Sequence, residues 1–329
     1  MRIGLTYDLA EDHTRTGMSA EDAAEFDSPV TVAAIDSSLK ALGFTTDPIG
    51  HVKALATRLV AGDRWDLVFN IAEGVHGVGR EAQVPALLDA FEIPYTFSDP
   101  MVLSLCLHKG MTKHVVRDAG IPTPDFVLVA STSDLVGVGL GYPVFAKPVA
   151  EGTSKGIGGS SVANTAQELA RVCAELLWRY RQPVLIETYL PGREFTVGVI
   201  GTGDSAHTVG ALEVRLRSAA ERGGYTYENK LRYEDRIDLT LAGDDVSRRA
   251  EAVALAAWRV LGCRDAGRVD VRCSAIGEPQ FLEVNPLAGL NPIRSDLPIL
   301  WRLRGHSYQE LIAAIITCAV DRTPGPSPA

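Results

Sequence analysis

The chain has 329 residues, 46% hydrophobic and 22% charged, with a net charge of −9. That is enough to bury a substantial core in two or three domains, and the acidic balance excludes the global basic footprint of a nucleic-acid binder. Five cysteines (Cys106, Cys173, Cys263, Cys273, Cys318) without CxxC spacing fit reduced thiols better than a disulfide framework, and seven histidines form no zinc-type pattern.

No apolar stretch reaches the roughly 18 residues of a membrane span, and residues 2–7 run straight into a strand with no signal-peptide core. A cytoplasmic protein without membrane or nucleic-acid partners is expected. An acidic loop from Asp8 to Phe26 follows the first strand. Ser28-Pro29 then supplies a cap and a first-turn proline for a helix whose Val32, Ile35 and Leu39 recur at helical spacing before Gly43. Residues 66–70 read as a second strand, 81–91 as a helix and Ile93-Pro94-Tyr95 as another strand start. This alternation predicts a parallel, doubly wound sheet. The glycines of Glu73–Arg80 miss the G-x-G-x-x-G spacing, so the loop is no dinucleotide fingerprint. It is either a substrate- or phosphate-facing loop or a plain surface turn.

Residues 109–119 read as a helix, and Ile121-Pro122-Thr123-Pro124 as a linker. Strands at 127–129, 144–147 and 184–187 and a helix at about 165–180 form a small α+β unit. Its glycine- and hydroxyl-rich loop 148–159, containing Glu151, Thr153 and Ser154, follows Lys147. Backbone amides there can cradle phosphate oxygens while Lys147 neutralises them; the alternative is a hairpin tip without ligand. A strand is expected over 193–200, a polar flexible segment over 217–238, and helices over 246–261 and 308–320. A Pro-rich tail over 321–329 is expected to be disordered.

Between the last two helices, Arg268-Val269-Asp270-Val271 and Gln280–Pro286 flank a turn at Ile276-Gly277-Glu278-Pro279, as in a hairpin. Alternation puts Arg268 with Asp270, and Glu283 with Asn285, each pair on one face. If the faces coincide, two carboxylates, an amide oxygen and a guanidinium converge. Such hard oxygen ligands suit Mg²⁺; the alternative is a solvated strand face.

These parts together resemble the ATP-grasp superfamily and, within it, the D-alanine–D-alanine ligase-like peptide ligases. The resemblance runs from about residue 65 to 316. It rests on Ala146-Lys147-Pro148 with Glu151-Gly152, on Ile186-Glu187 with Leu190, Gly192 and Glu194–Val197, on Gly267–Val271, and on Glu283-Val284-Asn285 leading to Gly289. It implies mixed α/β and α+β architecture in three domains: a Rossmann-like residues 1–108, a central ATP-grasp lobe 109–190 and a C-terminal lobe 191–320. It implies ATP and Mg²⁺, two ions for which Mn²⁺ can substitute, and a homodimer.

By position, the resemblance implies that Lys109 and Lys147 contact ATP phosphates. Glu187 and Leu190 would meet adenine, and Glu194 the ribose. Asp270, Glu283 and Asn285 would ligate the metal. Arg268, Lys230, Glu25 and Ser295 would form the catalytic group. The implied activity is ligation of amino acids or similar small substrates through an acyl phosphate, with loop 151–159 and segment 217–238 as lids. The other class of reading is a nucleotide-binding accessory protein that does not ligate.

Departures from the family pattern fall on the substrate side. Tyr7-Asp8 and the acidic loop replace a Gly-Gly-x-Ser-x-Glu segment, leaving Glu25 as the carboxylate for a substrate ammonium. Asn70-Ile71-Ala72-Glu73-Gly74 replaces a His-Gly motif. Thr153 stands for a serine and Leu231 for a tyrosine. One extra residue lies between Gly289 and Ser295, where Arg294 is placed to pair with a substrate carboxylate. The two substrates need not both be D-alanine.

Overall fold

A computed structural model describes residues 1–217 and 233–323. Lys230, Leu231 and the tail from residue 324 lie outside the described residues, as does most of the expected second lid.

The first sheet has the order β2-β1-β3, all parallel, from Arg2–Thr6 (β1), Thr45–Gly50 (β2) and Leu67–Asn70 (β3). The alternation of β1 explains its two faces. Ile3 and Leu5 join the core that holds Ile35 and Leu39 of the helix Pro29–Ala41. Gly4 faces the other way, where a Cβ would meet Ile49 at 2.6 Å. The strand start at Ile93-Pro94-Tyr95 is reduced to a single parallel bridge between Val68 and Tyr95.

The loop reading of residues 8–26 is corrected. In chain order the helices begin with α1 (Ala10–Arg15), followed by a 3-10 turn at Asp22–Glu25 and then α2 (Pro29–Ala41). α1 buries no residue, so it left no apolar period to read. Next come α3 (Val52–Val60), α4 (Gln83–Ala90), α5 (Pro100–Leu107) and α6 (Lys109–Asp118). In α6, Lys109 and Lys113 stand one turn apart and are both buried.

The second sheet is antiparallel, of order β4-β7-β5-β6: Phe126–Val129 (β4), Val144–Pro148 (β5), Val162–Ala163 (β6) and Val184–Thr188 (β7). It packs against α7 (Ala166–Tyr180), through Leu169, Val172, Cys173 and Leu176. The third sheet, also antiparallel, has the order β10-β9-β8-β11-β12: Glu194–Ile200 (β8), His207–Leu216 (β9), Ile237–Ala242 (β10), Ala266–Cys273 (β11) and Pro279–Asn285 (β12). Neither β9 nor β10 was expected from the sequence, and β10 begins at the end of the segment read as flexible.

A helical turn at Tyr233–Arg236 (α8) precedes β10, and α9 (Asp245–Val260) covers one face of the third sheet. Ala250, Ala254 and Ala257 present a small-residue stripe to it, and Trp258 fills the space beside them with no exposure. The approach is close enough that a Cβ on Gly267 would sit 2.6 Å from Trp258. The chain closes with α10 (Asp296–Leu303), which packs on β8 and β9, and α11 (Tyr308–Asp321), which packs on α2; both join the core shared with the first sheet. The second and third sheets thus flank one cleft, and the loops after β1 and β3 close its end.

Candidate functional site

The β11–β12 hairpin places its polar residues opposite one another: Arg268 pairs with Asn285, and Asp270 with Glu283. Val269 and Val271 point the other way, into the core beneath α9. That core holds the strand in one register, because a slip by one residue would exchange the two faces. Asp270 accepts a hydrogen bond from Thr196 Oγ1 at 2.8 Å and from Asn285 Nδ2 at 3.4 Å. This orientation leaves the Asn285 carbonyl oxygen for another partner. Arg268 Nη1 donates to Asp296 Oδ2 at 3.1 Å, and its Nε lies 3.9 Å from Asp270. Two carboxylates and an amide oxygen form an all-oxygen donor set that fits Mg²⁺.

Facing this strand are lysines. Lys109 Nζ lies 3.6 Å from Glu283 and donates to the Glu151 carbonyl at 2.5 Å. Lys147 Nζ lies 3.9 Å from Glu283 and 2.9 Å from Glu187. Glu187 also binds Lys113, again at 2.9 Å. Sequence reading missed Lys113, which is fully buried and reaches Thr123 Oγ1 and the Phe281 carbonyl. Its signal was the one-turn spacing from Lys109. Burial outweighs its attraction to Glu187 and pushes Lys113 down to about 8. For Lys147 burial also acts downward, but Glu187 and Glu283 outweigh it and hold the lysine above its ordinary value. Burial alone would raise Glu187, yet its two lysines hold it below the usual carboxylate range. Both carboxylate oxygens of Glu187 are thus engaged inside the protein, beside the slot expected for adenine.

That slot, about 70 Å³, is lined by Phe145, Lys147, Ser154, Glu187, Leu190 and Glu194, with Arg272 on its other wall. Arg272 pairs with Glu194 at 3.3 Å and lies over the Tyr189 ring. A larger cavity of about 920 Å³ adjoins the hairpin and includes Arg268, Glu283, Asn285, Gly289, Arg294 and Ser295 in its wall. Ser295 Oγ accepts from the Asn291 amide at 3.0 Å, and a Cβ on Gly289 would meet that oxygen at 2.9 Å. Arg294 is exposed at the cavity wall.

Glu25 is also in this wall, but its carboxylate is occupied. It accepts from Arg80 Nη2 at 3.0 Å and the Gly152 amide at 2.5 Å, and pairs with Lys155 at 3.3 Å. Lys155 in turn binds Glu151 at 2.5 Å, and Gln182 donates to the same Glu151 carboxyl. This network ties loop 151–159 to the N-terminal segments. Burial would raise Glu25, but Arg80, Lys155 and the Gly152 N–H outweigh it and hold it low. Thr153 and Ser154 adopt left-handed backbone (φ 48 and 57), a conformation that costs roughly 1–2 kcal/mol per non-glycine residue. Glu151, Thr153 and Ser154 therefore sit in a strained loop clamped by ions. Arg80 and Lys155 escaped sequence reading because Glu25, the partner they share, is distant in the chain.

Comparison with known proteins defines the class. Residues 115–317 match the family model described as D-ala D-ala ligase C-terminus. A D-alanine–D-alanine ligase of Marinobacter nauticus is 35% identical over 290 residues, covering 86% of this chain and 83% of that protein. A D-alanine–D-alanine ligase of Cupriavidus necator is 32% identical over 272 residues, covering 82% and 79%. The fold is similar to that of the D-alanine–D-alanine ligase of Bacillus anthracis crystallised with ATP (TM-score 0.72, 21% identity, 98% of each chain). It is also similar to the VanG D-Ala:D-Ser ligase of Enterococcus faecalis (TM-score 0.73, 20% identity, 97% and 99%). The architecture is the ATP-grasp fold, mixed α/β with one parallel and two antiparallel sheets. The chain belongs to the D-alanine–D-alanine ligase family.

Proposed function

We propose that this protein is an ATP-dependent carboxylate–amine ligase that joins amino acids or similar small substrates and releases ADP and phosphate. The observation that carries the reading is the pairing of Asp270 with Glu283 and Arg268 with Asn285, directly across from Lys109 and Lys147, at the edge of a cavity of about 920 Å³. A carboxylate oxygen of the first substrate attacks the γ-phosphorus of ATP, the bond to ADP breaks, and an acyl phosphate forms. The second substrate's amine then attacks the acyl carbon, phosphate leaves, and the nitrogen loses its proton. Lys109 and Lys147 offset the charge of the transferred phosphoryl group. Arg268, held by Asp296, stabilises the oxyanion formed on amine attack.

Asp270, Glu283 and Asn285 would hold Mg²⁺, with Mn²⁺ able to replace it. When bound, the metal neutralises phosphate charge. Leu190, Glu187 and Glu194 border the adenine and ribose end, and Glu151, Thr153 and Ser154 the loop over the phosphates. Lys230 would act from the 217–238 segment. Gly289, Arg294 and Ser295 bound the substrate end. The three sheets support a division into residues 1–108, 109–190 and 191–320. Among the described residues no helix is long and apolar enough to cross a membrane, which is consistent with cytoplasmic action; a homodimer is part of the same proposal.

The test is ADP and phosphate release over pairs of D- and L-amino acids with Mg²⁺. Release that depends on particular pairs supports ligation. ATP binding without amino-acid-dependent release would replace it by an accessory role.

A further inference from the structure

The polar face of β11 carries a second arginine, at the nucleoside end of the cleft. A period of two puts Arg272 on the same face as Arg268 and Asp270, and the strand register sets it directly across from Glu194, the first residue of β8. Arg272 Nη1 lies 3.3 Å from Glu194 Oε2, and Nη2 donates to the Tyr189 hydroxyl at 3.4 Å. The guanidinium carbon stands 5.2 Å from the centre of the Tyr189 ring. The side chains of Arg272 and Glu194 are only 13% and 17% exposed. Both line the slot of about 70 Å³, together with Thr188 and Leu190 on either side of Tyr189. A planar guanidinium held by a carboxylate, a hydroxyl and an aromatic ring has little freedom to turn, and it holds the carboxylate in turn.

The other carboxylates of the slot are served by other cations. Lys147 reaches Glu187 and Glu283, and Arg268 approaches Asp270 at 3.9 Å. Among the described residues, the ion-pair partner of Glu194 is Arg272. Without that partner an ionised Glu194 would share a small slot with Glu187, Asp270, Glu283 and the triphosphate of ATP, and like charges would turn it away from the ligand. With the partner in place its charge is matched, and a pair made through Oε2 leaves Oε1 to accept from a hydroxyl. We propose that Arg272 is a positioning residue for the nucleotide: it fixes the Glu194 carboxylate toward the ribose and thereby sets a preference for ribonucleotide over deoxyribonucleotide. The inference rests on the reading of this slot as the ATP site and adds to it the residue that makes Glu194 selective.

The experiment titrates the full chain, with Mg²⁺ and without amino acids, with ATP, 2′-deoxyATP and 3′-deoxyATP in a calorimeter. The parent should bind ATP about 10-fold or more tightly than the weaker of the two deoxynucleotides, the value of one hydrogen bond to a charged group. In Arg272→Met that ratio should fall to within about 3-fold, because ATP loses affinity while the deoxynucleotide has no such bond to lose. Arg272→Lys keeps the charge but not the planar fork; it should give a ratio between the two, and it carries the test if the methionine variant does not fold. A general disturbance of the slot weakens all three nucleotides alike and leaves the ratio unchanged. Ratios equal to the parent's in the Arg272 variants therefore overturn the inference. If Glu194→Gln loses the preference while the Arg272 variants keep it, the ribose contact of Glu194 stands without Arg272. A parent that binds all three nucleotides equally overturns the inference together with the ribose assignment of Glu194.

Discussion

Glu187→Gln tests the electrostatic logic of the nucleotide cleft. Glu187 is 3% exposed and serves two lysines, each at 2.9 Å. The variant keeps the shape and removes the charge, leaving two buried ammonium groups around a neutral amide. Lys147 retains Glu283 at 3.9 Å, whereas Lys113 retains the Thr123 hydroxyl, the Phe281 carbonyl, the faces of Phe126 and Phe281 and a weaker attraction to Glu283. Removing one partner of a buried ion pair costs about 3–5 kcal/mol, and the glutamine oxygen can still accept one hydrogen bond, so the lower end is expected.

The pH dependence gives a second handle. Lys113 has its folded pKa depressed to about 8, and losing Glu187 must depress it further. A depressed folded lysine binds fewer protons than the unfolded one, so it adds stability as pH rises through its folded pKa. In the variant this recovery starts at lower pH than in the parent. The destabilisation is therefore greatest near pH 6 and shrinks as pH rises toward 8. Urea unfolding at pH 6, 7 and 8 measures it as a lower midpoint at unchanged m-value. A loss below about 1 kcal/mol at pH 6, or one that grows toward pH 8, refutes the account of the Lys113–Glu187–Lys147 cluster.

Three further outcomes are expected. Asp270→Asn or Glu283→Gln should reduce ADP release by a factor of roughly 10² or more with the fold intact by circular dichroism, and chelation should do the same to the parent; full activity in either variant removes the metal assignment. Arg294→Ala should raise KM for the substrate carboxylate it holds by roughly 10–100-fold with KM for ATP unchanged, and equal changes in both would place Arg294 elsewhere. Lys155→Met should free loop 151–159 from Glu25 and Glu151, which would appear as faster proteolysis within the loop and a kcat lower by roughly 10-fold or more; unchanged cleavage and turnover would show that the ion network does not hold the loop.

The residues of the β11–β12 hairpin were legible in the chain because a period of two and an apolar alternate face leave few choices for a strand. Lys147 was legible for a similar reason, as a charged residue ending a well-marked strand, whereas Lys109 was named from the family resemblance. Glu25 was named, but the sequence could not show that its carboxylate is consumed by Arg80, Lys155 and the Gly152 amide. Those partners lie on two segments, around Arg80 and in loop 151–159, both far from Glu25 in the chain. The same holds for Asp296 beside Arg268 and for Lys113 beside Glu187.

Local pattern thus determined where many of the strands and helices run, which residues are candidates for phosphate and metal chemistry, and the family. Tertiary structure alone decided which charges neutralise one another, because ion pairing depends on distance through space and on burial, neither of which is written in neighbouring residues. It decided that Asp270 stands across from Glu283 and that Glu25 is spent on a loop. It also decided that Glu73, Glu81 and Asp27 meet in the wall of one cavity.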